Sequence, residues 1–431
     1  MSGSGEEPRK TKTLFRNGRF LHYIAMNVSS RTASSVFGIA VIWMVFEVTK
    51  SVIYVGVVGL AESLTTIGFT LPGGVWVDRY SRSHLLLLSN VIRGVSLGLL
   101  AAVFALYGFQ LPVVVAVAVC WSAATELYRS CNYSYLPEIV SAGELSDANG
   151  VTRAGTSVIG SASAAIGGGI IAFAGAVVAF AYGAAAFGLA ALFALLLVAR
   201  STPDGPRKSG TRAGMLSEVK DGMSWLRSQR GLLFLSASAT VFNFLSAVVF
   251  YYLVVYMVQG VGLGAVAFGI ATGANVLGGA LGSLTLGRTS ALGRAGAVWV
   301  LMAGSVPGGV YLLMGLEPSA AVAVAALFAA GFAQGFGGNA WLTAAQNIVP
   351  TEMRGRYFAI DGLLSFVGGP PAIVFGSLFI AAIGVLPVYA YVGAALLVSS
   401  VLFGASRDLW KLDGRPRPAP GAQGGPSRST G

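Results

Sequence analysis

Long apolar runs separated by short polar breaks constrain this chain more than any other feature. The runs recur along almost all of its 431 residues. A bilayer core about 30 Å thick needs about 20 apolar residues per helix. We therefore predict an all-α membrane protein with twelve transmembrane helices. The predicted spans lie near 20–46, 52–77, 84–107, 111–134, 153–175, 177–199, 231–257, 263–287, 295–315, 319–343, 356–382 and 385–405.

The scarcity of charge agrees with this prediction and excludes several functions. Only 10% of the residues are charged, against about a quarter in soluble domains. The net charge is +11, but the basic residues lie between apolar runs, so nucleic acid is not predicted as a partner. No Walker A pattern or metal-ligating cluster occurs, so neither an enzyme nor a cofactor is predicted.

Polar segments divide the chain into five predicted parts. These are an N-terminal segment (1–19), a six-helix bundle (20–199), a linker (200–230), a second six-helix bundle (231–405) and a disordered tail (406–431). Lysine and arginine concentrate in both termini, in the linker and beside the even-numbered connections, whereas the opposite side offers only Lys50. Positive residues favour the cytoplasmic side. We therefore predict a multi-pass plasma-membrane protein with both termini in the cytoplasm.

The two halves of the chain resemble each other before their fifth spans. The segment LPEIVSAGELSDANG covers 136–150, and NIVPTEMRGRYFAID covers 347–361. Each places a short polar turn and an acid at the start of a span. Two parallel six-helix repeats are typical of a transporter built around a central cavity.

A charged connection follows the second span, where GGVWVDRYSR covers 73–82. Its pattern Gly74-x-x-x-Asp78-Arg79-x-x-Arg82 resembles the signature loop between spans 2 and 3 of the major facilitator superfamily. The segments SRTASSVFGIAVIWMVFEVTKS, LPEIVSAGELSDAN and VPTEMRGRYFAI resemble the drug-exporter and secretion-effector branch, which includes macrolide and enterobactin exporters.

The resemblance implies that these charges gate the cytoplasmic side by latching the outward-facing state of the transporter. An alternative is that the arginines only set the topology. Arg129 can pair with Asp78, attract an anionic substrate or extend to the membrane surface. The predicted gating residues are Gly74, Asp78, Arg79, Arg82, Arg129, Arg354 and Arg356.

Four ionisable residues fall in the middle third of predicted spans, namely Arg31, Glu62, Arg93 and Glu126. Each such group costs about 2.5–3.5 kcal/mol on insertion scales, so it is expected to be functional or paired. The resemblance places spans 1 and 4 around the cavity, where Arg31 and Glu126 would face one another. Glu126 is the first candidate for a proton carrier and Glu62 the second. The alternative is a static arginine–glutamate pair that joins two helices.

The second half supplies aromatic and amide side chains instead of charges. An apolar pocket with a few polar groups suits a bulky amphipathic molecule. The alternative is an aromatic belt that faces lipid. The predicted substrate-pocket residues are Asn243, Phe244, Tyr251, Asn275, Gln334 and Asn339.

These features together predict a monomeric secondary active transporter. It would export a hydrophobic or amphipathic small molecule, such as a drug, natural product or siderophore-like compound, by proton-coupled alternating access. Its predicted partners are that small molecule, protons and membrane lipids. An importer or uniporter on the same fold, and a membrane sensor or assembly factor that transports nothing, remain alternatives.

Overall fold

The computed structural model describes residues 14–141, 143–200, 223–285 and 298–411. Within these ranges, the side chains of 71–75, 78, 146, 351, 352, 355, 356, 359 and 366 are outside the described set. The predicted N-terminal segment, linker and tail therefore lie mainly outside the described residues. All regular secondary structure in the described ranges is helical.

The first half forms five long helical elements. They are α1 (Gly18–Thr49), α2 (Val52–Arg79), α3 (Arg82–Tyr107), α4 (Leu111–Ile139) and α5 (Leu145–Ala199). The long α5 contains two of the predicted spans. Its backbone breaks at Gly175, where φ is 81°, a conformation that glycine adopts far more easily than other residues.

The second half is divided into more elements, most of which are shorter. They are α6 (Arg230–Tyr251), α7 (Ala265–Thr285), α8 (Val306–Leu316), α9 (Ala320–Ile348), α10 (Thr351–Val367), α11 (Gly369–Ile383), α12 (Val385–Gly404) and a last short helix α13 (Arg407–Trp410). A π-helical segment (Val300–Ser305) leads into α8, and Gly368 separates α10 from α11.

The described helices account for the twelve predicted spans. Ten of them are long and apolar enough to cross a membrane. The break at Gly175 divides the longest of the ten into two spans, and the shorter apolar helix Val300–Leu316 supplies the twelfth. The prediction of an all-α membrane fold is confirmed.

The turns at the two ends of α1 define two faces of the molecule. Asn17 caps α1 by accepting hydrogen bonds from the backbone N–H groups of Arg19 and Phe20. Its Nδ2 also donates to the carbonyl oxygen of Ile139 at 2.7 Å, which ties the start of α1 to the end of α4. We call this end the N-terminal face. The opposite face contains the α1–α2 turn, where Lys50 adopts a left-handed conformation.

Within each bundle, glycines allow helices to approach closely. In the first bundle α5 packs against α1 and α3, and in the second α7 packs against α9 and α8 against α12. Gly331 and Gly335 of α9 lie directly against the backbone carbonyl groups of Asn275 and Gly279 on α7. Such small-residue contacts are typical of membrane helices, because lipid gives no hydrophobic driving force between them.

The two bundles meet along two seams, α5 with α7 and α2 with α11. In the first seam, Gly168 lies against the carbonyl oxygen of Ala265. In the second, a Cβ at Gly59 would lie 2.8 Å from the Tyr251 ring and 3.5 Å from Ile373. Gly59 and Gly168 are each seven residues (52 to 59 and 168 to 175) from the opposite-face end of their spans, about 10 Å by helical rise. Both seams therefore join the bundles in the half near the opposite face.

Candidate functional site

A cavity of about 660 Å³ lies between the bundles. Its lining reaches Tyr23, Leu136 and Asn149, which lie near the N-terminal face. Toward the opposite face it ends at residues such as Leu253 and Phe268, beside the seams. The cavity is therefore open toward the N-terminal face and closed toward the opposite face.

The two ends of the cavity differ in chemistry. Arginines line the half near the N-terminal face and the middle of the molecule. Apolar side chains line the closed end, with Ile42 from α1, Trp121 from α4 and Phe250 from α6. The lining arginines are Arg31, Arg93, Arg129 and Arg153.

Arg31 lies in the cavity wall, as its mid-span position suggested. Its side chain packs on α5, because a Cβ at Gly160 would lie 2.6 Å from Arg31 Nε. The residue is exposed to the cavity. It forms no ion pair or hydrogen bond with any residue that the structure describes. A cation at mid-depth is thus available to a bound molecule.

Arg93 is a buried cation that is surrounded by neutral groups. Only 1% of its surface is exposed, and its guanidinium carbon lies 4.2 Å from the ring centre of Tyr128 and 4.6 Å from that of Phe187. Arg93 donates to the carbonyl oxygen of Ser89 at 3.2 Å and to Asn90 Oδ1 at 2.9 Å. These contacts hold the charge in the cavity wall without a carboxylate.

The Tyr128 ring is itself positioned by a helix contact. Its hydroxyl donates to Asn27 Oδ1 on α1 at 2.9 Å. Asn27 in turn donates through Nδ2 to the carbonyl oxygen of Tyr23 at 2.8 Å. Arg93, Tyr128 and Asn27 therefore link α3, α4 and α1 through one polar network.

Glu126 pairs with Arg129 on its own helix, one turn away. Its carboxylate is nearly buried, with 6% of the residue exposed, whereas Arg129 reaches the cavity. The expected facing of Glu126 and Arg31 is therefore replaced by a pair within α4. Glu126 is not part of the cavity lining, but its partner Arg129 is.

Glu62 lies at a different place, beside the α2–α11 seam. It is three residues from Gly59, where an added Cβ would lie 2.8 Å from the Tyr251 ring. Glu62 forms no hydrogen bond or ion pair with the described residues. The two predicted proton carriers are thus in separate environments.

The predicted substrate-pocket residues are distributed over several places. Asn243 and Gln334 line a second cavity of about 260 Å³ in the C-terminal bundle. Phe250 lines both cavities, so the second cavity adjoins the first. Asn275 lines the larger cavity, and its Nδ2 donates to the carbonyl oxygen of Leu327 at 3.0 Å.

The other three residues of that set line neither of these cavities. Phe244 packs against Phe375 with ring centres 6.3 Å apart. Tyr251 lies in the α2–α11 seam. Asn339 lies on α9 outside both linings. Of the six predicted residues, the three that line a cavity all carry amide side chains. Their role in substrate binding stays a prediction.

The predicted gating residues are only partly described. For Gly74, Asp78 and Arg356 the structure describes only the backbone. Arg82 pairs with Glu138 and donates to the carbonyl oxygen of Ser134 at 2.8 Å, which joins α3 to α4 inside one bundle. Arg79 is exposed at the end of α2. Arg354 donates from Nε to the carbonyl oxygen of Val349 at 3.1 Å.

A polar stripe on α5 was missed by the sequence reasoning. It includes Arg153, one of the basic residues beside the even-numbered connections that were used only to predict the topology. The stripe lines the cavity with Asn149, Thr152, Arg153, Thr156, Ser157 and Gly160. These residues recur every three or four positions, and this helical periodicity could have indicated a water-exposed face on the span.

Comparisons with known proteins agree with this architecture. The family model described as Major Facilitator Superfamily matches residues 23–373. No curated protein sequence matches the chain.

Several solved structures are similar in fold at low sequence identity. A mutant of the nucleoside transporter NupG has a TM-score of 0.73 at 12% identity, covering 90% of this chain and 99% of that one. An inward-facing bacterial homologue of the iron transporter ferroportin has a TM-score of 0.68 at 14% identity, covering 92% and 99%. An inward-facing, unoccupied bacterial homolog of the human lysosomal transporter Spinster has a TM-score of 0.64 at 15% identity, covering 95% and 98%.

Proposed function

Because the chain belongs to the Major Facilitator Superfamily, we propose that it exports an amphipathic small molecule by proton-coupled alternating access. The observation that carries the proposal is the cavity of about 660 Å³, which lies between two bundles and is open at one face only. Rocking of the bundles about that cavity would close the N-terminal face and separate the two seams. The similar structures of a nucleoside transporter and an iron-transporter homologue support movement of a solute through such a cavity.

In the proposed orientation of the protein in the membrane, this conformation can bind its substrate from inside the cell. The basic residues concentrate at the termini and the even-numbered connections, which favours a cytoplasmic N-terminal face. A cavity open to the cytoplasm can then receive a compound for export. The direction of transport is further supported by the resemblance of three segments to the drug-exporter branch.

Glu126 and Glu62 are the carboxylates proposed to couple transport to protons. A substrate or a bundle movement that draws Arg129 into the cavity would leave the buried Glu126 carboxylate without its partner. Binding a proton relieves the cost of such a buried charge. Opening the α2–α11 seam would in turn expose Glu62 to the opposite face. Each end of the transport cycle thus has a carboxylate that can exchange a proton.

Inside-out membrane vesicles test the direction and the coupling together. Candidate compounds come first from a growth-inhibition panel in a pump-deficient bacterium that expresses the chain. We expect uptake into vesicles with an acidic lumen and loss of that uptake when an ionophore collapses the gradient. Glu126→Gln and the double variant with Glu62→Gln should lose the gradient dependence, whereas Glu317→Gln at an exposed turn should keep it.

Four results would contradict the proposal or its assignment of the proton carriers. Uptake that does not depend on the proton gradient would indicate a uniporter. Flux in the reverse direction would indicate an importer. A chain that protects cells from nothing in the panel and moves none of its compounds would favour a sensor or assembly factor. Full proton-coupled transport in the double variant would eliminate both carboxylates as carriers.

A further inference from the structure

The balance of charge in the cavity points to the chemical class of its ligand. We propose that the cavity binds an organic anion with an apolar body; this rests on the transport function proposed above and narrows its substrate. The site consists of Arg31 and Arg153, with the buried Arg93 also in the lining, and an apolar end at Trp121 and Phe250.

The positive charge of the cavity is largely unneutralised. Among the described lining residues there are four arginines and no aspartate or glutamate. One of the four, Arg129, pairs with Glu126. Arg31 and Arg153 are exposed and form no ion pair or side-chain hydrogen bond with the described residues. The partners of Arg93 within the described part of the chain are all neutral.

Such an arrangement favours a carboxylate, sulfonate or phosphate group. A guanidinium group offers donors in a planar fork that matches two oxygens of these anions. A cleft lined by one sign of charge and bounded by low-dielectric walls also concentrates ions of the opposite sign. A cationic ligand would meet repulsion from three charges without a carboxylate in the described lining to compensate.

The closed end of the cavity indicates that the anion carries an apolar body. Eleven residues of α1 separate Arg31 from Ile42, about 16 Å by helical rise. On α4, eight residues separate Trp121 from Arg129, about 12 Å on the same measure. A charged head at the arginines thus leaves a ring system or short alkyl chain among the apolar side chains. An inorganic anion would leave that end unfilled.

The size of the cavity agrees with a ligand of this kind. Pockets for drug-sized molecules range over about 300–1,000 Å³, and this cavity is about 660 Å³. Such pockets are mostly apolar with a few polar groups that orient the ligand. Here the arginines would orient the ligand, and the apolar end would bury its apolar body.

Three fluorescent probes with one shared ring system test the proposal in the purified full chain. Dansylglycine carries a carboxylate, dansylglycinamide is neutral, and dansyl-ethylenediamine is a cation. Binding in neutral detergent micelles is measured by energy transfer from tryptophan, with unlabelled naphthalenesulfonate as competitor. We expect dansylglycine to bind at least about tenfold more tightly than the amide, a difference of about 1.4 kcal/mol, and the cation to bind least.

Variants separate specific recognition from general attraction. Arg31→Gln and Arg153→Gln should each weaken dansylglycine binding about tenfold and leave amide binding unchanged. Arg407→Gln, at an exposed position outside the cavity, should change neither. If Arg31→Gln fails to fold, as judged by size-exclusion chromatography, Arg153→Gln and the charge-preserving Arg31→Lys provide the comparison.

The inference is overturned if dansylglycine does not bind, if the amide or the cation binds equally well or better, or if Arg407→Gln has the same effect as the cavity variants. Binding in micelles requires no flux, so its outcome is separate from that of the vesicle experiment. Anion selectivity without any transport would refute the proposed function alone. Proton-driven export of cationic compounds together with failure of anion binding would refute this inference alone.

Discussion

At the scale of single residues, Arg93 shows how a membrane helix can hold a cation without an acid. Inserting an arginine at mid-span costs about 2.5–3.5 kcal/mol. A cation–π contact contributes about 1 kcal/mol, and a hydrogen bond to a charged group contributes about 1.5–3 kcal/mol. Arg93 has two ring contacts and two hydrogen bonds. Together these gains are at least as large as the insertion cost, so the charge is tolerated.

Replacing Arg93 by lysine tests this account because it keeps the charge and removes the planar guanidinium. Arg93→Lys loses the ring stacking and the fork that reaches both Ser89 and Asn90. We expect the apparent midpoint of thermal unfolding in detergent to fall by at least about 3 °C, which corresponds to a loss of about 1 kcal/mol in a large domain. Arg407→Lys, at an exposed position, should leave the midpoint unchanged. An unchanged midpoint in Arg93→Lys would mean that charge alone is sufficient.

Tyr128 gives an independent check on the same network. Tyr128→Phe keeps the ring over Arg93 and removes only the hydroxyl bond to Asn27, so the thermal midpoint should fall slightly. Tyr128→Leu removes the ring as well, and its midpoint should fall further by about 1 kcal/mol in equivalent free energy. Equal losses in the two variants would assign the contribution to the hydroxyl group rather than to the cation–π contact.

At the scale of elements, α7 and α9 are held together by backbone-to-backbone contact at glycines. Gly335 lies against the backbone carbonyl of Gly279, whereas Gly338, three residues further along α9, has nothing within 4 Å of an added Cβ. The two glycines thus form a matched pair on one helix. One is required for packing, and the other only lowers helix propensity.

Alanine substitutions at these two positions should have opposite effects on stability. Gly335→Ala forces the helices apart and should destabilise the protein by about 1–3 kcal/mol. Gly338→Ala removes backbone freedom from the unfolded state and should stabilise it by about 0.4–1 kcal/mol. Thermal midpoints of the two purified variants decide the question. A fall of the same size in both would show that the close contact at Gly335 contributes nothing particular.

The α5–α7 seam contains a second pair of glycines that can be compared, and here the effect of substitution can be measured as a change of conformation. Gly168 lies against the carbonyl oxygen of Ala265, whereas its neighbour Gly169 has open space around it. Gly168→Ala should weaken the seam and increase the population that is open at the opposite face. Spin labels at Glu47→Cys and Glu317→Cys, with the native cysteines replaced by serine, report the separation of the two bundles there. We expect a longer distance component in Gly168→Ala and an unchanged distribution in Gly169→Ala.

At the scale of the whole molecule, the sequence predicted the spans well because bilayer thickness sets the length of an apolar run. It also placed a span boundary near Gly175, where the backbone breaks. It could not determine the partner of Glu126, because both Arg129 on the same helix and Arg31 on another helix were compatible with the spacing. The choice depends on how α1 and α4 rotate when they pack, which is a tertiary property. The position of Arg153 in the cavity lining was missed because a basic residue near the end of a span is also expected where it only sets the membrane topology.

The central claim is that the cavity between the bundles is reached from each side of the membrane in turn. Ser34 lines the cavity near the middle of α1. The direct measurement is alkylation of Ser34→Cys by a membrane-impermeant maleimide, in a background with Cys120→Ser and Cys131→Ser. The reagent is added separately to right-side-out and inside-out vesicles, with Ser238→Cys at a buried position as the unreactive control. We expect labelling from both sides, and faster labelling from the side of the N-terminal face. Labelling from one side only, under every condition of gradient and ligand, would contradict it.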